Sequence, residues 1–147
     1  MEALNSRLEA EELRKRREGK RVYPCRLRYI WVKEKNYSDN WHYHVCILLN
    51  RDAYFTLGKF KHDKENRDVR SNMADRINDA WASALKILPE ISRGLVHFSH
   101  NPIYYIDCNT PEAFQQYSDL FYRLSYFAKV ETKHYGDHSK NFGCSRK

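Results

Sequence analysis

The sequence predicts an α+β domain with one antiparallel sheet and helices packed on it. Three observations lead there. The patterns run in the order helix, strand pair, helix, strand pair, helix. The first strand pair is joined by a short polar turn, as an antiparallel hairpin requires. The helical stretches repeat apolar residues at i, i+3 and i+4. The chain has 147 residues, 41% hydrophobic and 14% aromatic, enough to bury a core without staples.

Residues 2–19 read as a charged helix in which Leu4, Leu8 and Leu13 are the sparse apolar positions. Its end, Arg14, Lys15, Arg16 and Arg17, is basic, which suits either a solvated face or a phosphate-contacting one. Residues 25–34 and 41–50 are strands rich in β-branched and aromatic side chains, and 35–40 form the polar turn between them. Residues 51–65 are an irregular charged connection. A helix is expected over 67–88, where Val69, Met73, Ile77, Ala80, Trp81, Ala84 and Leu88 make a core-facing stripe. Pro89 and Gly94 follow its end. Residues 94–99 and 103–107 are two short strand candidates around Asn101-Pro102. The last helix starts with Thr110 as N-cap and Pro111 at the first helical position, and runs to about Glu131. This divides the chain into an N-terminal helix (1–20), a core (21–131) and a basic, mobile tail (132–147).

Lys plus Arg number 26 against 19 for Asp plus Glu, a net charge of +7. Such a balance favours polyanion partners, because each phosphate contact releases counterions. Cys25, Cys46, Cys108 and Cys144 lack C-x-x-C spacing, which argues against a zinc ribbon and fits reduced thiols. No apolar run has transmembrane length and no signal-peptide core is present, so a cytoplasmic site of action is expected.

Two constellations carry chemistry. In His42-Tyr43-His44, strand alternation puts both imidazoles on one face. Imidazole pairs of this kind bind divalent transition metals, although surface histidines with ordinary hydrogen bonds share the pattern. If residue 34 lies opposite residue 42, Glu34 joins them as an oxygen ligand; a one-residue slip removes it and leaves Asp39 as the substitute. In YRLSYFAK, Tyr122, Tyr126 and Lys129 fall within roughly 60° on a helical wheel. Ala113, Phe114, Tyr117, Leu120, Phe121, Leu124, Phe127 and Ala128 occupy the opposite arc, so the two phenols are off the apolar stripe. A phenol with its ordinary pKa of about 10 is a poor nucleophile, and a neighbouring ammonium stabilises the phenolate and the phosphate under attack. The phenol face must meet the histidine face although the apolar arc of its helix points elsewhere.

His-hydrophobic-His on a strand, followed by Tyr-x-x-x-Tyr-x-x-Lys on a helix, resembles the HUH endonuclease superfamily. More narrowly, RLRYIWVKE, HYHVCILLNRDAYFTLG, GLVHFSHNPIYYID and FYRLSYFAK with TKHYGDHSKNFGCSRK make residues 20–147 resemble the replication-initiation proteins of filamentous phages (inoviruses) and their prophage relatives. The resemblance implies a ferredoxin-like core. It implies a nick in single-stranded DNA at a replication origin, a 5′-phosphotyrosine link, and a free 3′-hydroxyl that primes rolling-circle synthesis. It assigns His42 and His44 as ligands of Mg2+ or Mn2+, Tyr122 and Tyr126 as paired nucleophiles and Lys129 as the accompanying lysine. Glu34 as third ligand remains the geometric inference above.

The resemblance also implies an additional strand before the first helix, so the chain is expected to lack one sheet neighbour. Two explanations are open: a truncated start to the domain, or a strand supplied by another chain, which would pair with the open edge and give a dimer. Host replication proteins are a further partner class for such a role. Lys133, His134, Lys140 and Arg146 are candidate DNA-phosphate contacts, with a solvated tail as the alternative. His97 and His100 suit structural roles, His62 a solvated one, and His138 lies in the tail without informative spacing. Two readings compete with the nickase: a non-catalytic DNA-binding remnant of a prophage replication protein, and a metal-binding or interaction domain unrelated to DNA.

Overall fold

The computed structural model describes residues 1–35, 40–58, 72–92, 94–129, 133 and 139–146. The architecture is α+β, with a three-stranded antiparallel sheet. The chain divides into two compact units. One comprises Met1–Cys25 with Asn50–Ile103, the other Arg26–Leu49 with Tyr104–Lys147. Each is described by itself.

The first unit is helical. Helix α1 (Glu2–Arg17) buries Leu4 and Leu8, one turn apart. Its surface is laced by Glu11–Lys15 and Glu12–Arg16 pairs, and Arg14 pairs with Glu18 at the same four-residue spacing. Lysine and arginine in the last turn complement the helix dipole. Gly19, at φ 67°, ends the helix in the left-handed region. There its N–H donates to the Arg16 carbonyl, and that of Lys20 to the Lys15 carbonyl. Helix α2 (Met73–Leu85) packs on α1, burying Met73, Ala74, Ala80 and Ala82. Across the two helices Arg76 pairs with Glu11 at 2.5 Å, and Arg7 donates to Ser83 Oγ at 3.1 Å.

Helix α2 begins with a capping box. Asn72 Oδ1 accepts from the Asp75 N–H at 2.9 Å, and Asp75 Oδ2 accepts from the Asn72 N–H at 3.2 Å. The expected start at Arg67 lies outside the described residues. The expected end at Leu88 is corrected to Leu85, because Lys86 turns left-handed at φ 55°. The short helix α3 (Pro89–Ser92) follows, and its wholly buried Ser92 hydroxyl donates to the Asn78 carbonyl at 3.1 Å. None of the helices among the described residues is long and apolar enough to cross a membrane.

The second unit holds the sheet, in the order β2-β1-β3. Strands β1 (Arg28–Glu34) and β2 (His42–Leu48) form the expected antiparallel pair, with Val32 opposite His44 and Glu34 opposite His42. The turn residues 36–39, Asp39 among them, lie outside the described residues. Strand β3 (Phe142–Cys144) runs along the other edge of β1, with Gly143 opposite Trp31. A Cβ on Gly143 would stand 2.7 Å from the Trp31 indole nitrogen, so the ring lies flush over a position only glycine leaves open.

Three expectations are corrected here. Residues 94–99 and 103–107 form no strand; the chain passes through them in extended and turn conformations. Asn101 stands at φ 52° in the turn between them. The third strand comes instead from the tail expected to be mobile. It pairs with β1 along Ile30–Val32. The last helix is also shorter than expected. Helix α4 spans Ala113–Ser125 after a turn at Thr110–Glu112, and the chain tightens into a 3₁₀ turn, Tyr126–Ala128. The Ser125 hydroxyl donates to the Tyr122 carbonyl at 2.7 Å where the winding changes.

Candidate active site

The site is built on the β1–β2 hairpin. With Glu34 directly opposite His42, strand alternation sets Glu34, His42 and His44 on the same face of the sheet. Glu34 is 2% exposed. A carboxylate this deep needs partners, since an uncompensated buried charge is costly. Its two oxygens have them. His44 Nε2 lies 3.2 Å from Oε2, and Lys133 Nζ donates to Oε1 at 2.6 Å. The Lys133 side chain is itself only 6% exposed.

The tyrosines arrive from the other side. The Tyr126 ring stands edge-on to the His44 imidazole, with centroids 6.2 Å apart at 83°. Phe127 meets the same imidazole at 6.1 Å. Both rings reach His44 from the 3₁₀ turn that follows α4. This resolves the conflict between phenol face and apolar arc, because Tyr126 meets the sheet from beyond the end of α4. Lys129 has left the helix, at ψ 123°, and its ammonium lies 5.8 Å from the Tyr126 ring centroid. The structure therefore brings together Glu34, His44, Tyr126 and Lys129. Tyr122, one turn earlier on α4, is 83% exposed and points to solvent.

Of the candidate phosphate contacts, Lys133 stands inside the site on Glu34. Lys140 and Arg146 are exposed on either side of β3, and the Arg146 carbonyl accepts from Arg26 at 3.5 Å. His134 lies outside the described residues, as do His62 and His138. Sequence reasoning missed two participants, Lys133 as the partner of Glu34 and Phe127 as the second ring on His44. The periodicity places Phe127 on the apolar arc away from the phenols, and Lys133 has no periodic signal, lying beyond the regular helix.

Two imidazoles and a carboxylate on one face suit a divalent ion by donor chemistry. Among the described residues, no three His, Cys, Asp or Glu side chains are grouped closely enough to hold one as they stand. The cation on the carboxylate is the Lys133 ammonium. His42, His44 and Glu34 share a face of the sheet but are not grouped as a ligand set.

A family model, the YagK/YfjJ C-terminal domain, matches residues 1–145. The chain is 43% identical to the uncharacterized protein YagK of Escherichia coli (strain K12) over 145 residues, 99% of this chain and 66% of that protein. It is 39% identical to the uncharacterized protein YfjJ of the same strain over 120 residues, 82% of this chain and 55% of that protein. The chain thus spans less than two thirds of the length of either relative. No solved structure matches it significantly. The chain belongs to the YagK/YfjJ C-terminal domain family.

Proposed function

We propose that this domain nicks and rejoins single-stranded DNA by a metal-dependent, tyrosine-mediated transfer of the HUH type, the chemistry that initiates rolling-circle replication. The observation that carries the reading is the meeting of His44, from the sheet, with Tyr126, from the turn after α4, at 6.2 Å between ring centroids. The net charge of +7 and the shared face of His42, His44 and Glu34 support it.

In this reading Tyr126 Oη attacks phosphorus. The Oη–P bond forms as the P–O3′ bond breaks, leaving the 5′-phosphate on tyrosine and a free 3′-hydroxyl. The phenolic proton leaves to water, which the 55% exposed Tyr126 reaches, and the departing 3′ oxygen takes a proton from the same source. Lys129 stabilises the phenolate and the charge on the phosphate. Tyr122, one turn away, accepts a second transfer. Mg2+ or Mn2+ held by His42, His44 and Glu34 would polarise the scissile phosphate. Lys140 and Arg146 are proposed to hold the DNA backbone.

The test is a covalent adduct that survives denaturation after incubation with single-stranded DNA and Mn2+ or Mg2+. Y126F should reduce it more than Y122F, the double variant should abolish it, and H42A/H44A should do the same. An adduct that persists in the double phenylalanine variant refutes the assignment. One observation favours the DNA-binding remnant instead: Glu34 is already satisfied by Lys133 and His44. Salt-sensitive DNA binding without cleavage, metal present, would establish that alternative.

A further inference from the structure

The face of the sheet opposite Glu34, His42 and His44 carries a different chemistry. Strand alternation puts Trp31 and Lys33 of β1 there together with Tyr43 of β2, and Lys33 stands directly opposite Tyr43. The Trp31 and Tyr43 rings are 6.2 Å apart between centroids, tilted by 54°. Trp41, just before β2, holds the Lys33 ammonium 3.9 Å from its ring centroid and the Lys35 ammonium 5.6 Å from it. The Lys33 ammonium also donates to Ser139 Oγ, and the Lys33 N–H donates to the Asn141 carbonyl at 2.7 Å. These bonds bring Lys140, which is exposed, to the same end of the sheet. Trp41 is 37% exposed and Tyr43 45%. Exposed rings set beside ammonium groups match the two halves of an unpaired nucleotide. The base stacks on a ring, and a lysine meets the phosphate. A duplex keeps its base faces inside its own stack, so only a single strand can use such rings. The net charge of +7 has the sign that phosphates need.

We propose that Trp31, Trp41 and Tyr43, with Lys33, Lys35 and Lys140, form a stacking platform for single-stranded DNA on the face of the sheet opposite His44. The platform works by binding alone and needs no divalent ion. Stacking accepts any base, so it holds a strand without reading its sequence. None of its rings has a part in the proposed transfer, so binding there and cleavage by Tyr126 fail or succeed separately. Only the choice of DNA over RNA rests on the reading of the other face.

The test uses the whole chain, with EDTA present, and a fluorescein-labelled oligothymidylate read by anisotropy at low salt. W41A/Y43A is expected to bind at least about tenfold more weakly than the wild type. W41F/Y43F keeps aromatic rings and should stay within about threefold. K35E/K140E should weaken binding and flatten its dependence on salt. A second readout keeps a ring at every position: bound oligothymidylate should quench tryptophan fluorescence in the wild type and much less in W41F. Duplex DNA and poly-glutamate should compete several-fold more weakly than unlabelled oligothymidylate. Equal affinity of folded W41A/Y43A and the wild type, or quenching undiminished in W41F, overturns the platform. Competition by duplex DNA or poly-glutamate at parity also overturns it, because the lysines would then attract any polyanion. Oligouridylate bound more tightly than oligothymidylate overturns the assignment to DNA. Affinity that falls in Y122F/Y126F and not in W41A/Y43A places the strand at the tyrosine site and overturns the platform while leaving the cleavage reading standing. Full affinity in Y122F/Y126F, with loss in W41A/Y43A, supports the platform whether or not the chain cleaves DNA.

Discussion

Replacing Glu34 by Gln tests how much of the site's stability resides in one buried charge pair. The change is nearly isosteric and keeps one acceptor oxygen, but it leaves the Lys133 ammonium, 6% exposed, without its counter-charge. Breaking a buried pair from one side costs about 3–5 kcal/mol, and the retained amide oxygen puts Glu34→Gln near the lower figure. For a chain of this size each kcal/mol lowers Tm by about 2–4 °C, so about 3 kcal/mol corresponds to a fall of about 6–12 °C. The assay is urea unfolding without metal, followed by tryptophan fluorescence and far-ultraviolet circular dichroism. The companion variant is E34Q/K133M, which removes both charges. It should be less destabilised than the sum of the single changes by more than about 1 kcal/mol, the signature of direct coupling. Glu34→Gln within about 0.5 kcal/mol of the wild type, or strict additivity in the cycle, would refute the claim that these two charges support each other.

Asn72→Ala removes the side-chain acceptor of the α2 capping box and should cost about 1 kcal/mol in the same unfolding assay; Asn72→Asp should recover most of it. Tyr54 is held neutral by burial first and then by the nearby Glu11, which together push its pKa from 10.0 to about 12. Its folded value is raised, so its contribution to stability is complete below pH 10 and is lost as pH rises through 12; an alkaline spectrophotometric titration of Y54F should lack the last-titrating tyrosine of the wild type.

The thiols follow the same logic of burial. Cys25 and Cys46 are both pushed up by desolvation, and the Cys25 sulfur also accepts the Asn50 N–H at 3.1 Å. Cys108 and Cys144 are exposed, and all four are free.

The local part of this protein was legible in its sequence. Alternation and a polar turn specify the β1–β2 hairpin, but the sequence left its register open between two alternatives, and the fold chose the one that places Glu34 opposite His42. Of the apolar stripe read for α2, Met73 and Ala80 are buried while Leu88 is exposed, and Ala74 and Ala82 are buried off it; Leu4 and Leu8 are the buried positions of α1. What tertiary structure alone decided is non-local. The Phe-Gly-Cys strand is too short to announce itself, and it exists because β1 has an edge more than a hundred residues earlier where Trp31 lies flush against a glycine. Likewise α4 gives way to a 3₁₀ turn from which Tyr126 and Phe127 meet His44, and Lys129 leaves the helical path. Lys133 reads as one more basic residue of a tail until the fold surrounds a buried carboxylate that requires a cation. Periodicity records which face of an element is apolar; which distant segment completes an edge or neutralises a charge depends on burial, and burial is a property of the assembled chain.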